Sequence, residues 1–317
     1  MTDSVARMRP MLDGPFQLLG PNPSFPVAHP NQQCVDHHVF RSTDGAWHLW
    51  GCIRGTSVGR VLYHWEGETP AQVPWRSTGE YVRSSRGAGE SLRDAHFQEW
   101  LQSPFVVVAN GTFYMLYGGH GTGANGDGVP VGRGDPRVAC QMCLMTSADG
   151  RTWSRHRNAM GYSRLFTGPG EARDPCVLRV ADTWVMYYAG YHDDDPANAG
   201  FYARTSMNLV DWSDYRIVHL DGRYGPGRWD TECPHVVRRS DSYYLFRTEN
   251  YAAARTHVFR SDDPFDFGIG DARDKYVGLL RVAAPEVVID VNGDEYITSN
   301  HDLRGGTMIA RLRWVAA

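Results

Sequence analysis

The chain has 317 residues, of which 42% are hydrophobic and 12% aromatic, enough apolar material for a large core, which excludes a disordered polypeptide. A formal net charge of −4 and a pI of about 6.3 leave no basic face to neutralise a phosphate backbone, so nucleic acid is not an expected partner. Lys275 is the one lysine among 32 cationic residues, which removes lysine from most catalytic schemes.

Six cysteines, Cys34, Cys52, Cys140, Cys143, Cys176 and Cys233, are scattered along a long chain, and this spacing favours a reduced, cytoplasmic setting. Residues 1–10 hold Arg7 and Arg9 but no apolar run of signal-peptide length, and no later stretch reads as a membrane span. Export is expected only if a leader has been removed.

Residues 1–33 are interrupted by Pro10, Pro15, Pro21, Pro23, Pro26 and Pro30, and they read as an N-terminal arm on the surface or a lead-in to the first strand. From Cys34 onward, short β-branched and aromatic runs alternate with Asp, Asn and Gly, and no amphipathic helix is legible. His37, Pro104, Pro175, Pro234 and Pro285 each open an apolar run. Seven residues later Asp44, Gly111, Asp182, Asp241 and Asn292 mark a turn, a mechanistic hairpin signal. A second run follows each turn, at 46–51, 112–118, 183–190, 242–247 and 295–299. Weaker hairpins come next, as in 144–154 and 203–213. Two hairpins per unit, with units 67, 71, 59 and 51 residues apart, predict an all-β, five-bladed β-propeller of four antiparallel strands per blade over residues 34–317. A two-domain sandwich is the competing architecture, but it gives no reason to repeat an acid at one strand end.

Inner strands of a propeller converge on one channel, so residues at their starts meet there. The position before each aligned opener is Asp36, Ser103, Asp174, Cys233 and Ala284, and Glu232 lies one residue earlier in blade four. Taken alone, Asp-Pro is a common strand opener. Asp36, Asp174 and Glu232 together place three acids from three blades at one opening, where mutual repulsion must push their pKa values apart. That is the equipment of glycoside hydrolysis, a protonated acid facing an ionised carboxylate.

Arg173-Asp174-Pro175 and Glu232-Cys233-Pro234 resemble the signature motifs of the five-bladed glycoside hydrolases of family 32 (invertases, inulinases, levanases) and its relatives in families 43, 62 and 68. The resemblance implies that Glu232 is the general acid/base, Asp174 a transition-state stabiliser and Arg173 a ligand of sugar hydroxyls. It makes Asp36 the nucleophile, as in family 32, or the general base, as in family 43. The first motif departs from the pattern: Cys34-Val-Asp36-His37-His38 stands where family 32 has Asn-Asp-Pro-Asn-Gly. The chain also reaches Ala317 without the C-terminal β-sandwich of family 32, a layout closer to family 43.

Second strands are expected to end at the opposite rim, so that His120, Tyr191-His192, Glu249-Asn250 and His301-Asp302 begin loops that reach the pocket only by folding back. His301 can hold an ion or water on the channel axis, as an axial histidine does in some family 43 members, or serve as a hydrogen-bonded structural histidine. One of His37 and His38 lines the pocket as a sugar ligand, since strand alternation separates their faces. Trp100 lies on the approach to the funnel, where an indole stacks on a sugar or simply packs. Trp47, Trp184 and Trp212 read as packing between blades. Gly121-Thr-Gly123-Ala-Asn-Gly126 matches G-x-G-x-x-G, but Pro130 follows in place of a helix, so dinucleotide binding is rejected. The stretch 118–134 is instead expected to be a mobile loop over the substrate. Cys140 and Cys143 have an odd separation within a strand, which makes a poor zinc knuckle.

The expected function is therefore hydrolysis of a furanoside, fructosyl or arabinofuranosyl, without an organic cofactor and with a small carbohydrate as partner. A transglycosylase on the same scaffold, a carbohydrate-binding propeller without catalysis, and a phosphorolytic enzyme drawing on Arg173 and Arg304 are the alternatives.

Overall fold

The computed structural model describes residues 8–24, 32–90, 100–120, 140–192 and 195–316. They build the expected five-bladed β-propeller, each blade an antiparallel sheet of four strands. Blade one runs Gln33–Arg41, Trp47–Thr56, Gly59–Gly67 and Arg76–Val82. Blades three and four repeat the plan from Arg173–Val180 to Arg216–His219 and from Glu232–Arg239 to Tyr276–Leu280. Blade two adds a fifth short strand, Arg164–Phe166, beside Cys140–Ser147.

Blade five begins with Val287–Ile289 and Glu295–Ser299 and continues into Gly306–Ala316, whose outer edge is covered by the start of the chain. Met8–Leu12 pairs with it from Met8↔Ala316 to Leu12↔Leu312, and Gln17–Pro21 pairs further along it. These two strands form despite Pro10 and Pro21, because an edge position does not need every N–H in the ladder. The ring is thus closed by hydrogen bonds between the two ends of the described chain.

Core residues alternate along the strands and interdigitate between blades. Tyr187, Tyr188, Phe201, Tyr202 and Phe259 are fully buried in one cluster shared by blades two, three and four. Trp47 is buried between blades one and five, while Trp184 and Trp212 pack at the edge of the blade-three cluster, as the aromatic spacing predicts. The loop expected over the pocket, 118–134, lies outside the described residues from position 121 on.

Candidate active site

At the start of the inner strands of blades one to four the ladder breaks register, between Cys34 and His37, Gln102 and Phe105, Arg173 and Cys176, and Glu232 and His235. A bulge of this kind re-aims a side chain. The residue before the proline takes a left-handed backbone in four blades: Ser103 (φ 50°), Asp174 (φ 58°), Cys233 (φ 51°) and Ala284 (φ 46°). Each costs on the order of 1–2 kcal/mol for a non-glycine residue. Asp36, whose successor is His37 in place of proline, is spared. These five aligned positions line one axial cavity together with the prolines that follow.

Asp36 accepts hydrogen bonds from Tyr251 Oη at 2.5 Å, Ser103 Oγ at 2.8 Å and the Cys233 thiol at 3.4 Å. Ser103 Oγ lies equally close, 2.7 Å, to Asp174 Oδ1. A hydroxyl has one proton to give, so Ser103 can donate fully to only one of the two carboxyls at a time, and the pair is not equivalent. The electrostatics run the same way. Burial works to raise the Asp36 pKa, but the nearby Arg60 cation and the three donors outweigh it and hold Asp36 below its ordinary value. Burial, opposed by Arg173 and reinforced by Asp36, raises Asp174. Glu232 is pushed up to about 8, chiefly by burial, against the pull of Arg173 and with the push of Asp174 and Asp36. One pocket therefore holds an ionised Asp36 and a protonated Glu232 at neutral pH.

Arg173 ties the acids together. Nε donates to Glu171 Oε1 (2.7 Å), Nη1 to Asp174 Oδ2 (2.5 Å) and Glu232 Oε1 (3.1 Å), and Nη2 to the carbonyls of Arg228 (2.5 Å) and Thr231 (3.1 Å). All five donors are used and the residue is 3% exposed, so Arg173 positions the carboxylates and has no donor left for a sugar hydroxyl, contrary to its expected role. Fully buried Glu171 also receives Arg228 Nε at 2.8 Å. The residue before it must be glycine: Gly170 has φ +63°, and a Cβ there would fall 1.8 Å from the Tyr191 ring.

The remaining expected site residues separate. His37 lines the cavity, with Nε2 2.6 Å from Thr298 Oγ1; His38 pairs with Glu286 at 2.8 Å. His301 is not among the residues lining the axial cavity: its Nδ1 bonds Ser299 Oγ at 2.7 Å and its ring sits 4.7 Å from Phe16. The imidazoles on the axis belong to His37 and His235. Trp100 is half-buried, with one face under the Arg60 guanidinium at 4.9 Å. The backbone of His120 pairs with Cys140 at the end of its strand; its side chain lies outside what the structure describes.

Second strands end at the carboxylate rim and not at the opposite one, because an antiparallel partner must return to where the first strand began: Arg173 faces Ala189 and Glu232 faces Thr248. Tyr251, just past the second strand of blade four, reaches Asp36 for this reason. Trp229 stands 61% exposed in the turn before Glu232, its ring backed by Arg228 at 4.6 Å and Arg173 at 5.9 Å.

Among the described residues, two groups have donor atoms close enough for a cation. Asp36, Asp174 and Cys233 form one, but the oxygens of its carboxylates are already held by Tyr251, Ser103 and Arg173. His48, His64 and Glu66 form the other, in blade one, where the two imidazoles bond each other at 2.9 Å and Glu66 pairs with Arg76 at 2.6 Å and with Arg151.

Solved structures with the same architecture match the chain over most of its length. A thermostable family-43 glycoside hydrolase superposes with a TM-score of 0.63 at 15% identity, covering 90% of each chain. An α-L-arabinofuranosidase from Lactobacillus brevis gives 0.59 at 12% identity, covering 88% of this chain and 90% of that one. An exo-1,5-α-L-arabinanase from a bovine ruminal metagenomic library gives 0.58 at 15% identity, with 92% and 95% covered. No family sequence model and no curated protein matches the chain. The chain thus has the five-bladed propeller fold found in family-43 glycoside hydrolases.

Proposed function

We propose that this protein is a glycoside hydrolase acting on a furanoside, with Glu232 as general acid, Asp36 as base or nucleophile, and Asp174 as the group that positions and stabilises the sugar. The observation that carries the reading is the pair of opposed carboxyls: Glu232 keeps its proton to about pH 8 while Asp36, held by Tyr251 and Ser103, stays ionised. A leaving oxygen needs a proton and the anomeric carbon needs a base or nucleophile on its other face. The scheme requires no organic cofactor. Proteins of the same fold include an α-L-arabinofuranosidase and a family-43 enzyme crystallised with xylose, so arabinofuranosides lead the candidates and xylosides are the natural comparison.

A panel of aryl α-L-arabinofuranosides and β-D-xylopyranosides, with sucrose for fructosyl transfer to water, tests this directly. Release of aglycone from the arabinofuranoside is the expected outcome, and the anomer of the first product, read by NMR, tells whether Asp36 activates water or attacks carbon. Release from none of them would overturn the assignment.

Trp229 gives the aglycone side an aromatic platform. Two guanidinium groups lie against its ring while the residue is 61% exposed, so a sugar ring can stack on its accessible surface. Trp229→Ala is expected to raise KM about 3- to 10-fold with little change in kcat; unchanged KM for aryl and oligosaccharide substrates alike would remove Trp229 from the site.

A further inference from the structure

One buried cation beside the carboxylates is not saturated. Arg60 opens the third strand of blade one, and its backbone bridges Trp100, just ahead of the inner strand that carries Ser103. It is 9% exposed. Its Nη1 donates to Gln102 Oε1 at 2.5 Å, and its Nε is buried without a hydrogen-bond partner. Among the described residues no carboxylate forms an ion pair with it. Arg173, in the same wall, uses every donor it has. Leaving the donors of a buried guanidinium unmade costs more than a made hydrogen bond returns, and the Trp100 ring beneath it holds the group flat.

We infer that Arg60, and not Arg173, is the arginine that binds substrate. Its unpaired N–H edge donates to two adjacent oxygens of the sugar held between Asp36 and Glu232. The chemistry that fits is the vicinal hydroxyl pair of a neutral sugar. A sugar carboxylate also matches a guanidinium fork, but Asp36 already supplies the negative charge that balances Arg60, and Asp174 and Glu232 stand at the same mouth. A further anion there would be repelled by the ionised Asp36. This inference rests on the glycosidase reading for the identity of the ligand.

The competing role is purely electrostatic, with Arg60 serving only to keep Asp36 ionised. Arg60→Lys separates the two, since it keeps the charge and loses the planar fork. With an aryl arabinofuranoside or xyloside, binding through the fork predicts about a tenfold rise in KM with kcat nearly kept. It also predicts loss of the preference for the parent sugar over its monodeoxy analogue. Wild-type KM, pH profile and deoxy discrimination in the variant would overturn the proposal. Arg60→Gln serves as the second variant, with circular dichroism confirming the fold of both. Calorimetric titration of arabinose and xylose into Glu232→Gln, with and without Arg60→Lys, reads binding independently of turnover; equal affinities overturn the proposal. Preference for an aryl glucuronide over neutral glycosides overturns the neutral-sugar assignment. Should the wild type cleave nothing, the glycosidase reading fails while the titrations still decide the role of Arg60.

Discussion

Glu232→Gln is expected to lower kcat by about 10²–10⁴-fold while leaving KM near the wild-type value, because the amide keeps the shape of the acid and loses its proton. The pH profile of kcat/KM supplies the mechanistic signature. Glu232 is active when protonated, so the alkaline limb falls as pH rises through about 8. Asp36 is active when ionised and sits below the ordinary carboxylate value, so the acid limb lies under the usual range and the plateau between is wide. Stability follows the same group. The folded-state pKa of about 8 lies above the ordinary 4.5, so this contribution is fully present below about pH 4.5 and is lost as pH rises through 8. Melting temperature should therefore decline across that window in the wild type, and the decline should be shallower in Glu232→Gln. A kcat within a factor of two of wild type in that variant would discard Glu232 as the acid.

Arg173→Met is expected to be the most destabilising single change at the site, about 3–5 kcal/mol, because it strips a buried partner from charged groups that cannot return to water. Glu171 and Asp174, both at most 5% exposed, lose the ion pairs at 2.7 and 2.5 Å. Glu171 retains Arg228; Asp174 retains only the Ser103 hydroxyl and the Cys233 amide. Urea denaturation measures the loss. The catalytic consequence has its own direction: Arg173 is the main influence pulling the Glu232 pKa down, so its removal moves the alkaline limb to higher pH even as kcat falls. Arg173→Lys, with charge but no fork, should fall between. A stability equal to wild type in the methionine variant would show that the five hydrogen bonds are replaceable by packing.

The two arginines differ in how far the sequence marks them. Arg173 sits in a recognisable motif beside an acid and a proline, yet its donors all turn inward to carboxylates and carbonyls. Arg60 has no motif, since it is one of many arginines in a chain with a single lysine, and only its burial beside Asp36 distinguishes it. Tyr251 was hidden for a different reason. The second strands were expected to run away from the site, whereas antiparallel pairing returns them to it and sets the residue after Asn250 against Asp36. Ser103 was on the aligned position all along, but a serine at one repeat position means little until its hydroxyl is found 2.8 and 2.7 Å from two carboxylates.

What the sequence by itself determined was the blade count, the inner strands and the three acids, because turn residues and strand openers recur at a fixed offset and that periodicity is local. Asp36, Asp174 and Glu232 are legible because each is tied to an opener of its own blade. The tertiary structure alone decided how the ring closes, which arginine is saturated, and which carboxyl keeps its proton. Those depend on contacts between residues far apart in the chain, Met8 with Ala316, Asp36 with Tyr251, Arg173 with Glu232, and on burial, which no repeat spacing encodes.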